Sequence, residues 1–138
     1  MSLVIDSSMT LSWYFEDERT PARIAVLDQV AEAGAVIPAH WRLEVLSALQ
    51  VAVRRSRITA AYRDASLADL RALPIAIDRN TNRQAWSATL RLCDRFGLTP
   101  YDAAYLELAL RRRLPLATLD GELVRAAQTE NVPLVGIA

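Results

Sequence analysis

The chain has 138 residues, of which 52% are hydrophobic and 23% are charged. A chain of this length can bury about two thirds of its unfolded surface, and the composition excludes an intrinsically disordered protein. Sixteen basic and sixteen acidic residues give a formal net charge of zero, which excludes a general attraction to nucleic acid but not a local basic patch. We expect residues 1–138 to form a single domain.

The sequence also indicates a compartment. The single cysteine, Cys93, excludes an internal disulfide and favours a reducing environment. Residues 1–6 contain no basic leader and no long apolar run, so no signal peptide is expected. No stretch of about eighteen uncharged apolar residues occurs, so no transmembrane helix is expected. We therefore expect a cytoplasmic protein without a membrane partner.

The first half of the chain alternates short apolar runs with helical patterns. The apolar runs predict buried strands at 3–5 and 35–37. The predicted helices run from 7 or 8 to 13 or 14, and over 20–33, 41–55 and 59–72. Ser7 or Ser8 is the expected cap of the first helix, and Gly34 is expected to end the second. The inward face of the third is predicted to carry Leu43, Leu46, Leu49 and Val53.

The second half continues this alternation. It predicts strands at 75–77, 114–118 and 132–135, and helices at 80–96, 99–112 and 121–129. Thr99 and Pro100 have the residue types of a helix cap and a first helical turn. Strands alternating with helices predict an α/β fold, in which helices cover both faces of a short-stranded parallel sheet.

Four acidic residues occupy related places in this pattern. Asp6 directly follows the first strand, and Asp120 comes two residues after Thr118, at the end of a later strand. Glu44 and Asp102 fall in the first turns of two helices. In a parallel sheet, strand ends and the helix starts that follow them share one edge. We therefore expect these four carboxylates to lie at one edge of the sheet.

Three of the four acids also have ordinary structural explanations. Asp120 could cap a helix, Asp102 could form a capping box with Thr99, and Glu44 could favour the positive end of its helix. Asp6 is the hardest to explain in this way. Four carboxylates packed together repel one another, and a divalent cation is the usual remedy.

Oxygen ligands without a His or Cys cluster favour Mg²⁺ or Mn²⁺. At a sheet edge, such an ion commonly activates water for phosphate chemistry. The hydroxyls of Ser8 and Thr118 could orient the carboxylates or a water, although each could simply cap or form a turn. His40, the single histidine, is interpreted as a surface or packing residue rather than a ligand.

Several other phosphate-handling and hydrolytic sites are excluded by missing residues. A phosphate-binding P-loop needs Lys, and the chain has none. Phospho-aspartyl hydrolases carry a second Asp two residues after the first, where this chain has Ser8. Receiver domains use a Lys as well. No Gly-x-Ser-x-Gly elbow is present.

The order and spacing of four segments resemble the PIN-domain family, and within it the VapC-like toxins of toxin–antitoxin pairs. These segments are 3–8, 38–49, 98–105 and 116–120, and their span covers nearly the whole chain. Ser47 stands where the family often has Asn, a mild departure. The resemblance implies a PIN-like three-layer α/β/α domain over residues 1–138.

The resemblance also implies an activity. It implies an Mg²⁺- or Mn²⁺-dependent endoribonuclease with an acidic quartet, Asp6, Glu44, Asp102 and Asp120, and with metal held chiefly at Asp6 and Asp102. It implies a homodimer, RNA as substrate, and inhibition by a small antitoxin that alone contacts DNA. A catalytically silent PIN-fold binding module, or a DNA-directed or housekeeping nuclease of the same fold, remain the alternatives.

Two sets of residues could form partner surfaces. Arg54, Arg55 and Arg57, and Arg111 to Arg113, are basic clusters at predicted helix ends. They could hold RNA phosphates, or they could simply favour helix C-termini. The aromatic run from Trp13 to Phe15 could pack in the core or meet the antitoxin.

Overall fold

The computed structural model of the protein describes residues 2–137. Its strands are β1 (Leu3–Ile5), β2 (Ala35–Ile37), β3 (Ile75–Ile77) and β4 (Leu116–Ala117). They form one parallel sheet in the order β3-β2-β1-β4. The predicted α/β class is confirmed.

Eight α-helical segments of residues 2–137 pack against this sheet to give three α/β/α layers. They are α1 (Ser7–Ser12), α2 (Pro21–Ala33), α3 (Trp41–Arg54), α4 (Ala60–Ala72), α5 (Thr81–Gln84), α6 (Leu90–Phe96), α7 (Pro100–Arg112) and α8 (Gly121–Thr129). A π-helical turn, Ala85–Thr89, joins α5 to α6. Among residues 2–137, no helix is both long and apolar enough to cross a membrane.

Burial of the strands follows their place in the sheet. β1 is central, and each of its three residues is 0% exposed. β3 is an edge strand, and its Ile77 is 42% exposed. A continuous apolar run is the expected sequence of a strand that is covered on both faces, which explains why β1 and β2 were predictable.

The predicted strands near the C-terminus are shorter than expected. The strand predicted at 114–118 is reduced to β4, and the one predicted at 132–135 to a single parallel bridge between Leu116 and Leu134. Pro115 and Pro133 have no backbone N–H to donate to a ladder. Gly136 then takes a positive φ of 76°, which ends the extended segment.

The predicted inward face of α3 is largely wrong. Leu49 is buried, but Leu43 is 71% exposed and Leu46 is 38% exposed. The buried stripe consists of Trp41, Val45, Leu49 and Ala52. The Trp41 indole donates a hydrogen bond to Thr10 Oγ1 at 3.1 Å. Docking of α3 against α1 therefore selects the face that carries Trp41.

The start of α1 also differs from the prediction. Its cap is Asp6 rather than Ser7 or Ser8, because Asp6 Oδ1 accepts a hydrogen bond from the backbone N–H of Met9 at 3.0 Å. The aromatic run after this helix packs mainly inward, since Trp13 is 3% and Phe15 is 6% exposed. Core packing is thus the main role of this run.

Candidate active site

The four predicted acids lie on elements that meet at the carboxyl edge of the sheet. Asp6 follows β1, and Asp120 is the residue immediately before α8. Glu44 and Asp102 lie in the first turns of α3 and α7. Each acid is thus the cap or a first-turn residue of a helix, the positive end of the helix dipole.

Asp6 is almost completely enclosed, and both of its carboxylate oxygens accept hydrogen bonds. It is 4% exposed. Its Oδ1 accepts from Ser8 Oγ at 2.7 Å and from Met9 N at 3.0 Å, while its Oδ2 accepts from the Thr118 hydroxyl. The contact with Thr118 follows from the register, because Ile5 pairs with Ala117 across β1 and β4.

The same two hydroxyls connect Asp6 to the turn after β4. Ser8 Oγ accepts from Leu119 N at 2.9 Å, and Thr118 Oγ1 accepts from Asp120 N at 3.1 Å. Each hydroxyl donates to Asp6 and accepts from this turn. Ser8 and Thr118, for which the sequence left open an orienting role or a simple cap or turn, therefore fix the position of Asp6 relative to Asp120.

The electrostatics show that the acids act on one another. Burial raises the pKa of Asp6 to about 6, against the hydrogen bonds from Thr118, Met9 and Ser8, and the charge of Asp102 raises it further. Burial also raises the pKa of Asp102, and the charges of Asp120 and Glu44 add to that rise. Asp102 thus repels each of the other three acids, which links the four into one electrostatic group.

No arginine within the described part of the chain neutralises this group. Among residues 2–137, no Arg forms an ion pair with any of the four acids, and the nearest basic atom to Glu44 is His40 Nε2, 3.8 Å from Oε1. Asp120 Oδ1 accepts from Leu123 N at 3.0 Å, so Asp120 does cap α8. A cap satisfies one carboxylate oxygen but leaves the excess charge of the group in place.

The donor set fits a magnesium-like ion in an open site. Within residues 2–137, no three His, Cys, Asp or Glu side chains form a ready-made metal-binding cluster. Mg²⁺ commonly needs only one or two carboxylates, and it keeps waters or substrate phosphates as its other ligands. Hard oxygen donors with uncompensated negative charge meet that requirement.

The raised pKa of Asp6 predicts a pH-dependent stability. The unfolded chain has the ordinary value of 3.8 and the folded protein about 6, so the folded state binds more protons in this interval. The free energy of unfolding should therefore fall as pH rises from 3.8 to about 6, by about 3 kcal/mol. Chemical denaturation without divalent ions, measured across this range, checks the result.

The Asp6→Asn variant is the control for this pH profile. It removes the titrating group and should remove the decrease assigned to Asp6. A wild-type profile that rises from pH 4 to 6, or a variant with an unchanged slope, would contradict the assignment.

Two residues that contact Glu44 were missed as members of the site. The Tyr105 hydroxyl donates to Glu44 Oε1, and His40 lies beside the same oxygen. Helical spacing could have indicated both, since His40 is four residues before Glu44 and Tyr105 is three residues after Asp102. The interpretation of His40 as a packing residue is correct in part, because its ring packs against Tyr101 and Tyr105.

A further strand-end acid was also missed, and it has a different role. Asp78 follows β3 and is 4% exposed. Its two oxygens accept from Arg111 Nη1 at 3.0 Å and Nη2 at 2.7 Å. Arg111 also pairs with Glu107, through Nε at 2.8 Å. Ion pairing to Arg111 gives Asp78 a structural role, in contrast to the four acids of the candidate site.

The basic clusters lie away from the acids. Arg54 is ten residues along α3 from Glu44, which is about 15 Å at 1.5 Å per residue. Arg111 is used by Asp78 and Glu107, and Arg57 pairs with Asp17 at 2.7 Å and with Glu18. The two clusters lie at the C-terminal ends of α3 and α7, whose first turns carry Glu44 and Asp102.

Comparisons with known proteins identify the family of this chain. The family model of the PIN domain matches residues 3–128. Ribonuclease VapC3 of Mycobacterium tuberculosis is 40% identical over 106 residues, which are 74% of this chain and 72% of the relative.

Two solved structures share the fold. PAE2754 from Pyrobaculum aerophilum superposes with a TM-score of 0.69 at 24% identity, over 98% of this chain and 92% of that one. VapBC2 from Rickettsia felis, bound to a promoter DNA fragment, superposes with a TM-score of 0.60 at 15% identity, over 97% of each chain. The family match, the identity to VapC3 and the shared fold together show that this chain belongs to the PIN-domain family and to its VapC-like members.

Proposed function

We propose that this protein is a metal-dependent endoribonuclease and the toxin of a toxin–antitoxin pair. The observation that carries the proposal is the group of four carboxylates centred on Asp102, for which residues 2–137 provide no arginine partner. The relationship to Ribonuclease VapC3 supports RNA as the substrate and phosphodiester hydrolysis as the reaction.

Asp6 and Asp102 would hold Mg²⁺ or Mn²⁺, with Asp120 and Glu44 beside them. The ion would supply positive charge for the phosphate and would lower the pKa of a water. Three hydrogen bonds, donated by Ser8 Oγ, Met9 N and Thr118 Oγ1, hold Asp6 in a single orientation. Burial keeps bulk water away from Asp6, which strengthens its interaction with any cation.

Glu44 is suited to accept a proton or to orient the attacking water. Its Oε1 accepts from the Tyr105 hydroxyl, while residues 2–137 provide no hydrogen-bond donor for Oε2. An unsatisfied carboxylate oxygen next to a metal site can bind water. We assign this role to Glu44, with a second metal as the other possibility.

The proposed partners are a second copy of the chain and an antitoxin, through which alone the complex would contact DNA. Exposed apolar side chains support protein partners: Trp86 is 93%, Leu43 71%, Tyr101 61% and Leu90 49% exposed. They line a cavity of about 440 Å³ beside His40. An exposed patch of large apolar residues is typical of an interface.

The cleavage assay that tests this function uses purified protein, total RNA and either Mg²⁺ or Mn²⁺. We expect cleavage that stops with EDTA and returns on adding excess metal. Asp102→Asn should reduce cleavage by roughly 100-fold or more, because loss of supporting contacts alone costs 10- to 100-fold. Asp28→Asn, a change at an exposed acid on α2, is the matched control and should keep full activity.

Testing DNA beside RNA as substrate separates the alternative functions. Cleavage of single- or double-stranded DNA without cleavage of RNA would indicate a DNA-directed nuclease. Binding of RNA without cleavage at any metal concentration would indicate a silent binding module. Cleavage of RNA that persists in EDTA, or in Asp102→Asn, would exclude the metal-carboxylate mechanism.

A further inference from the structure

Glu44 is held by side chains from two helices. The Tyr105 hydroxyl, on α7, donates a hydrogen bond to Glu44 Oε1, and Tyr105 is itself 1% exposed. His40 Nε2 lies 3.8 Å from the same oxygen. Both contacts fall on Oε1. Glu44 therefore has one oxygen fixed by the protein and one left for other ligands.

His40 joins the first turn of α3 to the first turn of α7. Its Nε2 lies 3.0 Å from the carbonyl oxygen of Tyr101, the residue before Asp102. A carbonyl oxygen can only accept, so Nε2 carries the hydrogen. Because His40 precedes Glu44 by four residues, this bond anchors the turn of Glu44 directly to α7.

Aromatic packing restrains the same side chain. The His40 ring meets the rings of Tyr101 and Tyr105 edge to face, with centroids 5.5 and 5.3 Å apart and interplanar angles of 70° and 75°. Edge-to-face contacts of this kind are favourable. The side chain of His40 is 18% exposed. A rotamer change would break the hydrogen bond and both ring contacts together.

We propose that His40 and Tyr105 are positioning residues for RNA cleavage. His40 anchors the turn that carries Glu44, and Tyr105 fixes Oε1 of that carboxylate so that Oε2 stays free for the reaction. The inference rests on the proposed ribonuclease function, and it adds two residues that act on the reaction through Glu44. Supporting contacts of this kind set the precision of a catalytic group.

The first test uses two replacements of His40. His40→Phe keeps a ring between the tyrosines but removes the N–H donor. We expect its kcat for RNA cleavage to fall roughly 10-fold, its KM for RNA to stay within about twofold, and its Mn²⁺ affinity in calorimetry to weaken. His40→Gln retains an N–H donor of similar reach and should recover part of the loss.

Tyr105→Phe provides an independent variant. It removes only the hydroxyl that donates to Glu44 Oε1, and it should lower kcat and Mn²⁺ affinity in the same direction as His40→Phe. Tyr62→Phe is the matched control, since the Tyr62 hydroxyl donates to a backbone carbonyl, Tyr14 O, and its loss should leave kcat unchanged.

A double-mutant cycle separates positioning from general stability. In a Glu44→Gln background, His40→Phe should change Mn²⁺ affinity by less than about twofold, because the carboxylate it positions is already gone. An equal loss in both backgrounds would overturn the proposal and indicate a structural role. Unchanged kcat and Mn²⁺ affinity in both His40→Phe and Tyr105→Phe would overturn it as well.

These outcomes are distinct from failure of the proposed function. If the wild-type protein does not cleave RNA, the ribonuclease assignment fails, and the Mn²⁺ titrations still report whether the two residues act through Glu44. If circular dichroism shows that His40→Phe is unfolded, Tyr105→Phe replaces it in the cycle.

Discussion

Replacing Asp6 with Asn is expected to reduce metal-dependent RNA cleavage by roughly 100-fold or more and to leave the protein folded. Asn is as good a helix cap as Asp, so its Oδ1 can still accept from Met9 N and Ser8 Oγ. Its amide nitrogen can donate to Thr118 Oγ1, where the carboxylate now accepts. The variant therefore loses the charge and keeps the hydrogen-bonding frame.

The same substitution should stabilise the protein above pH 6. Burial disfavours the charged form of Asp6, so a neutral side chain of the same shape removes that penalty. The expected gain is up to about 3 kcal/mol in metal-free buffer. A change that raises stability and abolishes activity is the mark of a site strained for function.

Thermal unfolding in EDTA and a cleavage assay on the same preparation measure both effects of Asp6→Asn. Asp28→Asn is the control for the amide substitution itself. A variant that cleaves RNA normally would remove Asp6 from the mechanism. A variant that neither folds nor cleaves RNA would show that the charge of Asp6 is needed for the fold.

Arg111→Met is expected to lower the free energy of unfolding by about 3–5 kcal/mol. Arg111 bridges Asp78 and Glu107, whose side chains are 2% and 5% exposed. Without the guanidinium, two buried carboxylates keep their charges and lose their main partner. The pKa of Asp78 is held below its ordinary value by hydrogen bonds and charge from Arg111, against its burial.

Urea denaturation of the wild type and Arg111→Met measures this effect. Arg55→Met, at the exposed C-terminal end of α3, is the matched control and should change stability by less than about 0.5 kcal/mol. An Arg111 variant that unfolds at the wild-type urea concentration would show that the network contributes nothing net to stability.

The four acids were predictable because each marks a local event in the chain. A strand end or a helix start is encoded by a few neighbouring residues, and the parallel topology then brings these points to one edge. Their partners were harder to predict. Thr118 meets Asp6 across 112 residues of sequence, and this contact depends on the register between β1 and β4.

The contacts of Glu44 show the same limit. Tyr105 reaches it across 61 residues, and His40 reaches Tyr101 across the same separation. Spacing within one helix indicates which side chains share a face, but not which helix will lie opposite. Considered within its own segment, His40 is therefore interpreted as a packing residue, although it also connects the first turns of α3 and α7.

The face of α3 was mispredicted for a related reason. Leucines at 43, 46 and 49 and the stripe that begins at Trp41 are both regular helical patterns. Only docking against α1 selects between them, through the Trp41–Thr10 hydrogen bond. The leucines left outside, Leu43 and Leu46, then became part of the exposed surface.

The short edges of the sheet bear on how the protein avoids aggregation. On one side, the segment around Leu134 covers β4, with Leu116 N donating to Pro133 O and Val135 N donating to Leu116 O. On the other side, β3 is only three residues long and follows Pro74. Short edges and flanking prolines give another chain few backbone groups to pair with. The protein can thus expose Ile77 on an open edge while offering few backbone groups for strand addition.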